Sequence, residues 1–380
     1  MSIVIRMCLV MVIGLIGACS GGGGDEATND PAPPPTNPTQ PSAFVYTSND
    51  PLALNGSISG FRVTGDNGVL APVPGLPFDI GGGGKAVAAN PKTDILYVLS
   101  EGSLNVFQRR ADGGLQRLSE TALLPFTTSF QGSSLCVHPS GRWLYIVDDS
   151  PFDPDILVFA LIESGADTGK LGSFLQEFSA SNIPNILPSK CVISGNQLYV
   201  TFPVAGVSAA TITGNGTLTF SSGNDISRPG GLHFIEKHPT KSLIYAGSST
   251  SNGVDMFTIN ADGSLTFITR FDTGVFPTSI AIDPRGQFLY VTNRTSNSIS
   301  GYRLTDNGDL NPLTPASFAT DVAPNSATFD PSGNILYVTY NPPGPGHILS
   351  FSVNRNTGEL VSKSGLEIFG IPRQVISLLP

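Results

Sequence analysis

Charge is scarce in this chain. Only 13% of its 380 residues are Asp, Glu, Lys or Arg, and acidic side chains outnumber basic ones, 29 to 20, for a formal net charge of −9. No stretch gathers the basic residues into a stripe, which argues against a nucleic-acid partner held through its phosphates. The four histidines, His138, His233, His238 and His347, are scattered without the spacing of a zinc site. There is no Asp-x-Asp loop of calcium-binding form, no glycine loop opening a helix for phosphate and no Gly-x-Ser-x-Gly elbow. No metal and no organic cofactor is expected. No long segment repeats apolar residues every 3.6 positions, so helices do not build the core. Beyond the first eighteen residues nothing is long and apolar enough to span a bilayer.

What is present divides the chain into three. Residues 1–18 read as a targeting segment: Arg6 gives a positive start, Cys8 to Gly17 is a short apolar run, and small residues close it. Leu15-Ile16-Gly17-Ala18-Cys19 looks like a bacterial lipobox, which implies cleavage before Cys19 and lipid on its sulfur. An ordinary secretory signal cut near Ala18 is the other reading. Residues 19–42 favour the lipoprotein, because they are what a tether requires. Gly21 to Gly24 give flexibility, Pro31 to Pro41 extension, and apolar side chains are nearly absent. By resemblance to lipoprotein sorting patterns, Ser20 after the cysteine, in place of an acidic residue, implies the outer membrane rather than retention at the inner one.

Residues 43–380 are the folded body, and a repeat organises them. Tyr46, Tyr97, Tyr145, Tyr199, Tyr245, Tyr290 and Tyr337 stand 45 to 54 residues apart, most of them preceded by leucine. A pre-proline pair comes shortly before five of them: Asn90-Pro91, His138-Pro139, His238-Pro239, Asp283-Pro284 and Asp330-Pro331. A Gly-x-Leu turn follows each, at Gly68, Gly114, Gly169, Gly216, Gly263, Gly308 and Gly358. Two independent seven-fold marks at this period imply an all-β, seven-bladed β-propeller with four-stranded antiparallel blades. In the sixth blade the strands fall near 279–282, 288–292, 298–304 and 313–318. The first repeat lacks an inner strand, and Pro372 to Leu378 matches the inner-strand pattern, so the C-terminal strand should close blade 1.

The string Pro284-Arg285-Gly286-Gln287-Phe288-Leu289-Tyr290-Val291-Thr292-Asn293 resembles the lactonase and YVTN-repeat propellers over essentially all of residues 43–380. That family includes 6-phosphogluconolactonase-like and carboxymuconate-cyclising enzymes, and also envelope proteins without established chemistry. In the enzymes a Gly-Pro-Arg-His string opens one inner strand and Asn-Glu follows that blade's Tyr-Val. Here blade 5 reads Gly231-Leu232-His233-Phe234, and Ala246-Gly247-Ser248 follows Tyr245. The nearest echo is Pro372-Arg373-Gln374 with Asn49-Asp50.

A site is expected at the mouth of the central channel, at the residue twelve before each tyrosine. Round the ring these are Lys85, Ser133, Pro188 (allowing a one-residue deletion), His233, Thr278 and Asn325, with Arg373 completing the circle. Lys85, Arg373, Arg228, Asn325 and Asp50 are the ligand-binding candidates, suited to a small carboxylate or phosphate. Glu101, Asp148, Asp149 and Arg294 lie nearby. Taken singly, each is also an ordinary solvated loop residue. Glu236, on the inner strand where other blades carry Ala88, Cys136, Ala281 and Thr328, could work with His233 as acid and base, or simply meet Lys237 or water. His138 and His238 should hydrogen-bond their turns, and His347 reads as a loop residue. Cys136 and Cys191, each followed by valine on equivalent inner strands, should point the same way round the ring and stay free, buried thiols. The expectation is a lipid-anchored monomer binding a small anionic ligand or an envelope protein, touching the membrane only through its anchor. A lactonase or cycloisomerase acting on a small anionic sugar lactone is the alternative.

Overall fold

The computed structural model describes residues 41–380, apart from 52–54, 66–67, 124–129, 152–153, 180–186, 369 and the side chains of 221–225. Contacts divide the chain into Met1–Pro38 and Thr39–Pro380, and the description concerns the second unit. The targeting segment, Cys19 and most of the tether lie outside the described residues. The first strand begins at Pro41, two residues inside the stretch assigned to the tether.

Seven antiparallel sheets follow the repeat. In blade 6 the strands are Pro277–Ile282, Phe288–Asn293, Ser298–Leu304 and Leu310–Ala319, the outermost three residues longer at its start than the repeat implied. Blade 1 is closed by Ile371–Leu378, which pairs with Pro41–Asp50 from Leu378 opposite Phe44 to Ile371 opposite Asp50. Its outer edge is split into Val69–Pro72 and Phe78–Gly81, both on Gly56–Thr64.

The core sits between blades. Each of seven apolar clusters joins side chains of two neighbours, such as Phe288 and Tyr290 of blade 6 with Phe329 and Leu336 of blade 7. No blade owns a core, which is why one repeat cannot stand alone.

The two sequence marks meet across these interfaces. Tyr290 Oη donates to Gly358 O of the next blade at 2.6 Å, and Tyr97, Tyr145, Tyr199 and Tyr245 bond the corresponding glycine carbonyls. Tyr46 bonds that of Gly113, one residue before the expected Gly114 and the true first residue of its Gly-x-Leu turn. The glycine is required where it stands. Gly358 has φ +78°, and a Cβ there would lie 2.6 Å from the Phe288 ring. The Tyr337 hydroxyl has no partner among the described residues. Tyr290→Phe should therefore cost about 1–2 kcal/mol, because it orphans a buried carbonyl, whereas Tyr337→Phe should cost less than about 0.5 kcal/mol. Urea melts of the two variants check this, and equal losses would contradict it.

The pre-proline slot holds its turn as expected. Asp283 Oδ1 accepts from Phe288 N at 2.9 Å, Asp330 Oδ1 from Ile335 N at 2.7 Å, and His238 Nδ1 from Thr240 N at 3.2 Å. His138 does the same for Ser140 N at 3.1 Å. His347 departs from expectation. It opens the strand His347–Val353 and stacks on Tyr340 with ring centroids 4.9 Å apart.

The thiols also depart from expectation: Cys136 and Cys191 form a disulfide, with Cα atoms 6.2 Å apart. They are not equivalent positions. Cys136 pairs with the anchor Tyr145, but in blade 4 it is Val192 that pairs with Tyr199, while Cys191 pairs with Val200. The first hairpin of blade 4 is two residues shorter than its counterparts, not one. Cys191 is thus one place out of register with Cys136, and a one-place slip sends a strand side chain to the opposite face. One sulfur faces forward round the ring and the other back, so they meet.

Candidate functional site

The inner strands converge on an axial cavity of about 620 Å³. Lys85, Ser133, His233, Thr278, Asn325 and Arg373 all border it. In blade 4 the short hairpin puts Ser189, rather than Pro188, in the ring, where its N–H donates to Thr201 O as Ser133 N–H does to Val147 O.

Most of the uncharged ring is a belt between blades. Ser133 Oγ donates to Ser189 O at 2.8 Å, Ser189 Oγ to His233 O at 2.9 Å, and Thr278 Oγ1 to Pro324 O at 3.2 Å. Asn325 Nδ2 donates to Pro372 O at 3.0 Å, tying blade 7 to the closing strand. Asn325, a ligand-binding candidate, is thereby engaged in holding the ring.

The charged members differ. Lys85 Nζ lies 2.7 Å from Glu101 Oε1 and 3.9 Å from Asp50 Oδ1, and the Arg373 guanidinium grips Asp50 Oδ2. Asp50 thus bridges the two cations picked from the sequence and offsets part of their charge. Arg228 does not reach the cavity. It follows the last strand of blade 4, pairs with buried Asp255 at 2.6 Å and lies over the Phe267 ring. Arg270 holds the other oxygen of Asp255, so Arg228 serves an interface away from the mouth.

Lys190 is the residue that sequence reasoning missed. It borders the cavity, and its Nζ donates to Ser133 O at 2.6 Å. Burial pushes its ammonium down from 10.5 to about 8, against the opposing pull of Asp149. The signal was blade 4's missing pre-proline pair, which marks the shortened hairpin and so the shifted register. Asp149 also borders the cavity, and burial raises its carboxyl. Asp148 accepts three backbone N–H groups on Oδ1, from Gln131, Gly132 and Ser150, and shapes its loop.

His233 Nδ1 accepts from Ser249 N at 3.3 Å, and burial lowers its pKa, which favours a neutral ring with its proton on Nε2. Glu236 stands at the waist of the channel. It borders both the upper cavity and a second one of about 330 Å³ that reaches Asp330 and Ser377. Burial pushes its carboxyl from 4.5 to about 7, offset in part by the N–H and charge of Lys237. No hydrogen bond joins it to His233 among the described residues. Because the folded chain holds this proton more tightly than the unfolded one, stability should fall as pH rises from about 4.5 to 7 and then level off. Glu236→Gln should gain about 2 kcal/mol at pH 8 and nothing at pH 4, measured as urea midpoints. An equal gain at both pH values would mean that the carboxylate is not desolvated.

No group of metal-ligating side chains and no helix able to cross a membrane occurs among the described residues.

The fold and its axial polar cavity define a propeller of the channel-site class. Residues 235–366 match the family described as Lactonase, 7-bladed beta-propeller. Similar solved structures include proteins provisionally named 6-phosphogluconolactonase from Bacteroides uniformis and Bacteroides fragilis. Each is 17% identical with a TM-score of 0.75, over 89% and 91% of this chain and 100% of theirs. The periplasmic gluconolactonase of Pseudomonas aeruginosa is 16% identical with a TM-score of 0.74, over 89% of this chain and 99% of its own. No curated protein sequence matches the chain. The resemblance read from the repeat is matched by the family model over residues 235–366, and the fold is that of a seven-bladed β-propeller.

Proposed function

We propose that the propeller is the binding domain of an envelope lipoprotein, anchored through Cys19 at the outer membrane, and that it takes a small anionic ligand into the channel mouth. The observation that carries this is the convergence of Lys190, Arg373 and Lys85 on one cavity of about 620 Å³ in a chain that is acidic overall. Lys190 has no carboxylate within ion-pairing distance among the described residues, so an entering carboxylate or phosphate would complete its pairing. Calorimetric titration with gluconate and with 6-phosphogluconate tests the reading. Removing one cation, as in Lys190→Met or Arg373→Met, should weaken binding about tenfold, and the double variant more. Unchanged affinity in the double variant would remove the cation site. An envelope protein docking at the same mouth is the other form of a binding role.

A second reading has its own support. Glu236, with a pKa near neutrality, and neutral His233 border the cavity that holds the cations, which is the equipment for moving a proton during opening of a sugar lactone. The named neighbours act on such lactones or are provisionally named for it. Lactone hydrolysis by the purified protein that vanishes in the His233→Ala, Arg373→Ala double variant would make this an enzyme. Absence of turnover alongside ligand binding would leave the binding role alone.

A further inference from the structure

Lys190 is the one ionisable residue at its ring position. The equivalent residue in the other blades is Gln374, Ala86, Ser134, Phe234, Ser279 or Ser326. The two-residue shortening of the blade 4 hairpin places it there, on the wall of the upper cavity. Its amine is oriented by Ser133 O at 2.6 Å. Lys85 and Lys170, by contrast, are ion-paired at 2.7 and 2.5 Å. With an ammonium pushed down to about 8, roughly a tenth of Lys190 is free amine at pH 7, far more than for an ordinary lysine. A desolvated lysine amine in a walled cavity is a nucleophile toward carbonyl carbon.

We propose that Lys190 is a covalent attachment site, condensing through its amine with a small anionic aldehyde or 2-oxo acid to form an imine. In the first step the nitrogen lone pair forms a C–N bond while the carbonyl π pair moves to oxygen, and one proton passes from nitrogen to that oxygen. In the second the carbinolamine hydroxyl takes a proton from a carboxylic acid at the cavity and leaves as water as the nitrogen lone pair forms C=N, and the remaining N–H proton of the iminium returns to that carboxylate. Amine and carbonyl give imine and water, with no oxidant or reductant consumed. Glu236, whose carboxyl burial pushes up to about 7 and which borders the same cavity, is the acid available to the departing hydroxyl. Arg373 supplies the preference for an anionic carbonyl. The imine itself needs only the amine; the anion preference rests on the reading of the cations given above.

The test is reductive trapping of the whole protein with cyanoborohydride, using glyoxylate as the anionic aldehyde and glycolaldehyde as a neutral one, followed by peptide mapping. The depressed pKa supplies far more free base, and its lower intrinsic nucleophilicity returns part of that gain. Lys190 should therefore be labelled on the order of tenfold faster than Lys85, Lys92, Lys170, Lys237, Lys241 or Lys363. Glyoxylate should be preferred over glycolaldehyde at Lys190 and at no other lysine. In Lys190→Arg the fast adduct should disappear while the circular dichroism spectrum stays. Adducts spread evenly over the lysines would overturn the proposal, whether or not the protein binds gluconate. Fast labelling of Lys190 by both aldehydes alike would overturn its anionic selectivity and count equally against the cation site.

Discussion

Deletion of residues 372–380 should abolish cooperative folding. The closing strand enters two of the apolar clusters at once. Val375, 3% exposed, packs between blades 7 and 1, and Ile376 and Leu378 pack between blades 1 and 2. Losing one buried and two half-buried aliphatic side chains costs about 3–6 kcal/mol, at about 1.5–3 kcal/mol for full burial and half that for the other two. The whole stability of a domain is about 5–15 kcal/mol, so these side chains alone carry a large share of it. The loss goes further than contacts. Pro41–Asp50 becomes an open edge, and the Asn325 bond to Pro372 O disappears, so the belt is broken where the ring must close. Thermal unfolding followed by circular dichroism is the measurement. A broad, non-cooperative melt or insoluble protein is expected, and supplying a peptide of residues 371–380 should restore part of the transition. A truncated chain that melts as sharply as the full one would mean that the ring closes by other means.

The blades were legible because their physics repeats. Tyr290 needs the Gly358 carbonyl of the next blade, and Asp283 needs the N–H groups of its own turn, so both residue types recur wherever the geometry does. The closing strand could be read for the same reason, since blade 1 lacked an inner strand and Pro372 to Leu378 had no other blade to join. The site was legible only as a ring of positions. Lys85, His233 and Arg373 do border the cavity, because a residue at a fixed distance from a tyrosine anchored to the next blade inherits its place. What each does there depends on neighbours far away in the chain. Asp50 is set between Lys85 and Arg373 only by closure, and Arg228 is drawn outward by Asp255 of the next blade. In blade 4 the inner strand alone escaped the frame. Its missing pre-proline pair left the register open, and a one-place error there hid Lys190 and reversed the fate of Cys191.

Reduction of the Cys136–Cys191 bond should cost about 4 kcal/mol. The bond joins positions 55 residues apart, and closing a loop of that length in the unfolded chain removes entropy worth about 4 kcal/mol at 25 °C, with native-state strain and residual unfolded structure subtracting from it. The gain lies almost wholly in the unfolded state, so the folded ring should survive reduction, held by the belt from Ser133 to Ser189 and by the cluster that packs Tyr145 against Leu198 and Val200. Both sulfurs are buried, each residue being 8% exposed, so reduction must be carried out unfolded and followed by refolding in reductant. Urea melts of the oxidised and reduced protein should differ in midpoint, and the slope should rise on reduction because the unfolded chain opens further. Cys136→Ala with Cys191→Ala should lose somewhat more than reduction does, because it removes the buried sulfurs as well as the bond. Coincident midpoints for oxidised and reduced protein would mean that the unfolded chain already holds blades 3 and 4 together. A reduced protein with no transition at all would mean that the bond, rather than the belt and cluster, aligns the two inner strands, and with them the Lys190 amine beside the cavity.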